Sequence, residues 1–418
     1  MATNNNNLLA SIDIGTKNTR VLFAMLEDDN TIQIEGYGKS ISKGVREGRI
    51  VNINEVTASI EDAINQAQKR SGYTIMTLNS SISDLHLTIN NRKGERVLQD
   101  EFVSQKDIDF AVNSAAIPVP TNKQIINTIV TRYSIANQDI NQFEKVQNPL
   151  NMQARVLEVK THNISVSTSA INLIIEGVRR SNKAEVKDFF IESMACSEAI
   201  LTDDLKERGV VIINIGAGVT SYTIFIDGEL INSGIVAIGG NNITEDICEA
   251  FGLEFDVADE LKMSYGKVES SISESDKLIP VSVKIQGKLN TQYLSSEDLY
   301  EVISGSCKSI LEELKFNIFE NNSIKPNKIK SGVVLTGGSS ELGGLEGLSR
   351  KIFHLPVKKG LINRNIVKGD EKIITNSEFS TSIGLLLCRR DEGVLEPVQA
   401  NNKKENFGSK MKDLFKKF

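Results

Sequence analysis

The chain is short of groups that bind metal by themselves. Its four cysteines, Cys196, Cys248, Cys307 and Cys388, lie far apart and form no C-x-x-C pair. That spacing suggests neither a structural zinc site nor a disulfide framework, and it fits a reducing compartment. The three histidines, His86, His162 and His354, have no partner at ligand or triad spacing and are expected in structural or surface roles. No run of about 18 apolar residues occurs, and residues 1–9 carry an asparagine run without a basic flank. The expectation is a chain that is neither exported nor membrane-spanning. A basic excess is missing as well: 48 Lys and Arg stand against 54 Asp and Glu, for a formal net charge of -6. A duplex-binding surface needs clustered cations to displace counterions, so no nucleic-acid partner is expected and any basic patch must be local.

What is present is ordinary globular material, 40% hydrophobic and 24% charged, in a chain of 418 residues that is too long for one core. Two lobes are expected, and the sequence repeats itself accordingly. LLASIDIGTKNTRVLFAML, followed by polar turn residues and TIQIEGYG, reads as strand, glycine turn, strand, turn, strand. VVIINIGAGVTSYTIFI, then DGEL and INSGIVAIG, has the same grammar. Helical spacing appears in Asn54 to Arg70 through Val56, Ile60, Ala63, Ile64 and Ala67, and in Ala170 to Val178 through Ile171, Ile174, Ile175 and Val178. Residues from about Asp84 to Ser165 change character, with a helix SQKDIDFAVNSAA and strand-like stretches QIINTIVTRYSIA and ARVLEVKTHNISVS. They read as an inserted subdomain with its own sheet. A long helix from Glu297 to Phe319 presents Leu299, Val302, Ile303, Cys307, Ile310 and Leu314 on one face.

The glycine turns point to phosphate. In DIGTKNTR a buried strand ends in Asp13, Gly15 lets a ligand approach the backbone, and Thr16 and Lys17 offer a hydroxyl and a cation. One such turn also serves a plain hairpin. NIGAGVTS, with Asn214, Gly216 and Gly218, repeats the device in the second half, and two such turns can close on one phosphate chain. LTGGSSE follows a strand and opens a helix, so Gly337 and Gly338 allow a flat ring to come close. Asp259 and Lys262 lie between, on a helix.

The order and wording of these motifs resemble the actin, Hsp70 and hexokinase superfamily, and closely resemble the FtsA family over nearly the whole chain. DIGTKNTR is similar to the first phosphate motif, NIGAGVTS to the second, and GVVLTGGSSELGGLEGLSRKIFHLPVKKG to the adenosine motif. IGGNNITEDICEAFG, ADELKMSYG, FSTSIGLLLC, RYSIANQDI and NPLNMQARVLEVKTH match further. The resemblance implies an α/β, actin-like (ribonuclease H-like) fold of two lobes with duplicated mixed sheets. It assigns 1–83 and 166–205 to the first lobe, 84–165 to the FtsA-type insertion, 206–241 and 323–390 to the core of the second lobe, and 242–322 to its periphery. It also implies that Asp13, Gly15 and Thr16 meet the β and γ phosphates, with Asp13 holding a magnesium ion through water. Gly216 and Gly218 would form the opposing turn, with Gly240 beside the nucleotide. Asp259 and Lys262 would reach the ribose, and Gly337, Gly338 and Ser339 would border adenine. This chain departs from the pattern in two places that matter. The family's usual lysine falls where Asn18 stands, one place after Lys17, and the second motif begins with Asn214 instead of Asp. Ala217, Val219 and Ser221 are also unusual in that turn. An amide removes a charge from the metal's outer shell and the best acceptor for a water proton, so ATP is expected to bind and to be hydrolysed weakly or not at all.

After a polar linker, 391–405, the last stretch, 406–418, reads NFGSKMKDLFKKF. At about 100° per residue, Phe407, Met411, Leu414, Phe415 and Phe418 fall within an arc of roughly 100°, while Lys410, Lys412, Lys416 and Lys417 take the remainder. This tail carries +3 where the whole chain carries -6, which leaves -9 on the rest. A basic amphipathic helix of this kind lies on anionic membrane, or docks on the protein's own surface. The resemblance implies a cell-division adaptor that forms filaments with copies of itself and ties the C-terminal peptide of FtsZ to the cytoplasmic face of the membrane at the division site. Residues 242–322 would receive that peptide, and the insertion would meet other division proteins. Two other classes share the fold: pilus-assembly scaffolds and hexokinase-type small-molecule kinases.

Overall fold

Gly15 breaks one long apolar run into two strands, Leu8–Ile14 and Asn18–Leu26, which pair antiparallel with Asp13 opposite Arg20. This computed structural model describes residues 7–388 except 117, 138–141, 182, 269–277 and 286–287. The linker 391–405 and the helix expected at 406–418, with Phe407, Lys410, Met411, Leu414, Phe415, Lys416, Lys417 and Phe418, lie outside the described residues. Ile32–Ile41 alternates buried and exposed positions, as a strand covered on one face does. Its cover is the helix Ile53–Ser71, started by the Asn52 side chain and ended by Gly72 in the left-handed region. Strand and helix come so close that a Cβ at Gly38 would lie 1.8 Å from the Ala63 carbonyl oxygen, which only glycine avoids. The first sheet has the order Glu185–Phe190, Thr77–Ser81, Leu8–Ile14, Asn18–Leu26, Ile32–Ile41, Val367–Lys368.

The second half repeats this plan. Glu229–Val236, Thr220–Ile226, Val210–Ile215, Val333–Thr336 and Val357–Lys359 form a five-stranded sheet in that order. Successive residues of Val210–Ile215 go to different cores: Val210 and Ile212 pack with the first lobe, Val211, Ile213 and Ile215 with the second. Between the two sheets lie the helices Glu192–Ile200 and Ser380–Leu387, buried along almost their whole length.

Several sequence expectations needed adjustment. The helix Thr168–Arg180 buries Ile171, Ile174 and Val178 but leaves Ile175 39% exposed, because its inward stripe turns toward Gly177, which packs against Ile60. The long helix runs Ser296–Lys315, and Phe316–Glu320 continues it as a π-helical turn. Leu311 joins its buried face, and Val302 is only partly buried.

The insertion folds as a four-stranded antiparallel sheet, Thr88–Val97, Val156–Ser167, Lys123–Ala136, Glu144–Val146, with the helix Gln105–Ser114 closing its own small core. Although it leaves the chain from the first lobe, it rests on the edge strand of the second. Arg132 Nε lies 3.2 Å and Lys145 Nζ 3.8 Å from Glu229 Oε1. Lys145 also donates to the Asp227 carbonyl at 2.7 Å, and Asn91 Nδ2 to the Ile231 carbonyl at 2.8 Å. His162 Nδ1 sits 2.7 Å from Asn91 Oδ1, and burial pushes this imidazole down to about 4, so it is neutral at physiological pH. Glu229 is nearly buried while both its partners are partly exposed, which places the pair between surface and interior energetics. Glu229→Ala is therefore expected to cost roughly 1–2 kcal/mol in urea unfolding and to speed amide exchange across Glu229–Val236, leaving exchange in Ile53–Ser71 unchanged.

Candidate functional site

Two glycine turns, one from each lobe, meet face to face. Gly15 accommodates a tight turn in which its amide donates to the Asn18 carbonyl at 3.2 Å. In the second lobe the Gly216 amide donates to the Val219 carbonyl at 3.0 Å. A Cβ on Gly218 would lie 2.5 Å from Thr16 Oγ1, so a side chain there would fill the gap between the lobes. Thr16 Oγ1 accepts from the Gly48 amide at 2.9 Å, which ties a short hairpin, Val45–Arg46 with Arg49–Ile50, to the same rim.

Behind these turns the backbone of the second lobe is held together by its own carbonyls. Gly216 O accepts from the Gly240 amide at 2.9 Å and from Ser339 Oγ at 3.0 Å. Gly337 adopts a φ of 88° against Asn214, whose Oδ1 would lie 2.3 Å from a Cβ there. Lys262 donates to the Gly240 carbonyl at 2.7 Å and to Thr244, and pairs with Asp259 at 2.8 Å. Lys17, from the first lobe, pairs with the other oxygen of Asp259 at 2.6 Å. Burial would raise the Asp259 carboxyl, but the two lysines prevail and hold it below its ordinary value.

Asp13, Gly15, Thr16, Lys17, Asn18, Asn214, Gly216, Gly218, Gly240, Lys262, Gly337, Gly338 and Ser339 thus line one cavity of about 450 Å³. Asp259 is not among its lining residues and reaches it through two that are, Lys17 and Lys262.

The floor of the cavity carries groups that the glycine pattern did not reveal. Asp13 accepts from Ser81 Oγ at 2.8 Å and faces Arg20 Nη1 at 3.4 Å; burial raises its carboxyl against the pull of both. Glu192, at the start of its buried helix, accepts from the Ser83 hydroxyl, and its Oε2 has no partner. Burial raises this carboxyl to about 7, the Ser83 hydroxyl working against the rise and the charge of Asp13 adding to it. Glu378 pairs with Lys39 at 2.6 Å and with Arg20 at 3.4 Å. Asn214 Nδ2 reaches Thr381 Oγ1 at 3.4 Å, and Ser221 Oγ is buried without a partner. For Glu192 the available signal was an acid inside the apolar run FFIESMACSEAI; for Arg20 it was the period of two, which puts it on the strand face shared by Asn18. Among the described residues no group of three or more His, Cys, Asp or Glu could hold a metal ion. A divalent ion here would have to take most of its oxygens from a ligand and water, with Asp13 as its protein anchor.

Folded Glu192 keeps its proton up to about pH 7, whereas an unfolded carboxyl releases it near 4.5. The folded state therefore binds more protons across that window, and stability falls as pH rises through it. Glu192→Gln removes this loss. Thermal melts are expected to coincide near pH 4, and at pH 8 the variant is expected to exceed the parent by roughly 3 kcal/mol.

Comparison with known proteins agrees with this architecture. The family model described as cell division protein FtsA matches residues 211–384, and the model described as the SHS2 domain inserted in FTSA matches residues 85–165. The chain is 30% identical to the cell division protein FtsA of Pseudomonas aeruginosa over 381 residues, 91% of this chain and 88% of that protein. Among solved structures, the PilM–PilN type IV pilus biogenesis complex superimposes with a TM-score of 0.64 at 16% identity, covering 93% of this chain and 99% of that one. MreB5 of Spiroplasma citri bound to ADP does so with a TM-score of 0.53 at 13% identity, covering 91% and 95%. At such identities the structural likeness speaks for the fold, which is actin-like, while the sequence match extends over nearly all of the chain. With its actin-like lobes and its SHS2 insertion, the chain belongs to the FtsA family of cell-division proteins.

Proposed function

We propose that this chain is a cell-division adaptor that binds ATP between its lobes, assembles into actin-like filaments and tethers FtsZ to the cytoplasmic membrane through the amphipathic segment 406–418. The observation that carries the ATP reading is the meeting of the two glycine turns, where a Cβ on Gly218 would lie 2.5 Å from Thr16 Oγ1. Gly218 lets the second turn close on the Thr16 side chain of the first, and both turns border one cavity, where their backbone suits a phosphate chain held from both sides. The cavity of about 450 Å³ is of the size that small-molecule sites have, and Gly337, Gly338 and Ser339 line it, where a flat ring could approach the backbone. The similar MreB5 structure holds ADP, which supports the same class of ligand here.

Asp13 would anchor magnesium through water, and the ion would supply charge neutralisation to the phosphates. Asn214, in the opposing turn, brings an amide where a carboxylate would order and deprotonate water. Glu192 keeps a partnerless oxygen on the floor and titrates near 7, so about half of it can accept a proton at neutral pH. The amide at Asn214, where the opposing turn would otherwise bring a carboxylate to order water, supports binding with slow turnover. Calorimetry is expected to show ATP binding, and the steady hydrolysis rate is expected below about 1 per second; a faster rate would remove the weak-ATPase reading.

For the membrane, no described helix is long and apolar enough to cross a bilayer. The basic amphipathic segment supports attachment from one side instead. A short helix of this kind binds weakly alone, and neighbouring copies on a filament would bind together through their shared surface. Removal of 406–418 is expected to abolish co-sedimentation with anionic liposomes while leaving ATP binding intact, and undiminished sedimentation would defeat the anchor. Capture of FtsZ on those liposomes by the full chain separates this reading from a pilus-assembly scaffold of the same fold.

A further inference from the structure

The insertion is built into one lobe and seated on the other. Ile126, Ile164 and Val166, from its two longest strands, lie in the core of the first lobe, so its base moves with that lobe. Its opposite side is held to the second lobe by Arg132 and Lys145 on Glu229, by Lys145 on the Asp227 carbonyl and by Asn91 on the Ile231 carbonyl. None of these residues lines the cavity. The Arg132 and Lys145 side chains are 28% and 46% exposed, so water can take over their ion pairs when the seat opens.

The root of the insertion, by contrast, adjoins the cavity floor. The strand Thr77–Ser81 leads into it, and the chain just there bonds in both directions. Ser81 Oγ donates to Asp13 at 2.8 Å, and the Ser83 hydroxyl, which lines the cavity, donates to Glu192. Next in sequence, Asp84 is only 3% exposed and accepts from the His86 amide at 2.9 Å and the Ser167 amide at 2.6 Å. It thereby clamps the outgoing chain to the returning one. Lys123 adds a bond to the His86 carbonyl at 2.7 Å. Leu85, His86 and Leu87 alone separate this clamp from the first strand of the insertion, Thr88–Val97, which leaves the root little slack.

A segment rooted in this way in one lobe and seated on the other spans the gap that the two glycine turns close. With the insertion seated, Gly218 stands against Thr16, where a Cβ would find only 2.5 Å. We infer that the insertion is a strap across the cleft: its seat on the strand Glu229–Val236 holds the two glycine turns together, and ATP between those turns holds the insertion in its seat. The inference rests on the ATP reading above and adds to it a regulation of the same site from outside the cavity. Coupling of this kind is reciprocal, so whatever lifts the insertion from Glu229 weakens the grip on ATP by the factor by which ATP strengthens the seat.

The test uses the full chain, with calorimetric titration by ATP and amide exchange read with and without ATP, for the parent, Glu229→Ala and Arg132→Gln. ATP affinity is expected to fall about fivefold or more in Glu229→Ala and at least about threefold in Arg132→Gln, although neither residue lines the cavity. In the parent, ATP is expected to slow exchange across Glu229–Val236 at least about threefold, and in the variants much less. ATP affinity within about twofold of the parent in either variant overturns the inference. So does exchange across Glu229–Val236 that ATP leaves unchanged in the parent. Affinity lost together with faster exchange in the helix Ile53–Ser71 marks general destabilisation, and it overturns the inference as well. Arg132→Gln keeps a long polar side chain and leaves Glu229 its pair with Lys145, so the affinity can be read from it should Glu229→Ala fail to fold. A parent that binds no ATP removes the nucleotide reading and this inference together, whereas ATP binding indifferent to both substitutions removes the strap alone.

Discussion

The close packing of two short helices under the cleft is the contact on which the rest of this structure depends. Glu192–Ile200 and Ser380–Leu387 approach so nearly that a Cβ at Gly384 would lie 1.9 Å from the Ala195 carbonyl oxygen. From this pair, polar bonds reach both sheets. Ser11 Oγ donates to the Ser382 carbonyl at 2.7 Å and Asn79 Nδ2 to the Leu385 carbonyl at 3.0 Å, from the first sheet. Thr336 and Ser380 hydroxyls lie 2.8 Å apart, as do those of Ser193 and Thr223, toward the second. The hydroxyls of Ser11, Ser193, Thr223, Thr336 and Ser380 can bury this deeply because each of them finds a partner. The pair is thus both the joint between lobes and the floor that carries Glu192 and Thr381.

The charges above that floor are arranged in compensating sets. Asp259 lies between a lysine of its own helix and one from the other lobe, while Glu378 is shared by Arg20 and Lys39. Burial would raise the Glu378 carboxyl, but Arg20 and Lys39 keep it below its ordinary value. Asp13 and Glu192 have no such surplus of cations, and burial raises both. The result is a cleft whose rim is tied by ion pairs and whose floor resists adding further negative charge unless a cation, or a proton, comes with it.

Much of this could be read from residue order. The strand, turn, strand repeat was legible because apolar runs and a glycine at a tight turn are local requirements, and the helix Ile53–Ser71 because its inward stripe needs no knowledge of what it covers. Thirteen of the expected site residues line one cavity for the same reason: the glycine turns mark where backbone must come close. Glu192, Glu378 and Arg20 were missed since their meaning lies in partners far along the chain, such as Ser83 for Glu192 and Lys39 for Glu378. That two lysines, one from each lobe, converge on Asp259 was not legible in the sequence, because Lys17 lies far from it along the chain. The docking of the insertion on Glu229 was equally invisible, as nothing local in GEL announces a contact with Arg132.

That docking has a consequence for solubility. A sheet that ends in an eight-residue strand, Glu229–Val236, presents a ladder of carbonyls that invites a stray strand from another molecule. The Asn91 amide caps the Ile231 carbonyl of this strand and the Lys145 amine caps the Asp227 carbonyl in the turn just before it, while the salt bridges to Glu229 keep the insertion seated there. The far end of the same sheet is only three residues long, Val357–Lys359, too short to template much. The insertion therefore covers part of an edge that would otherwise stand open to a stray strand.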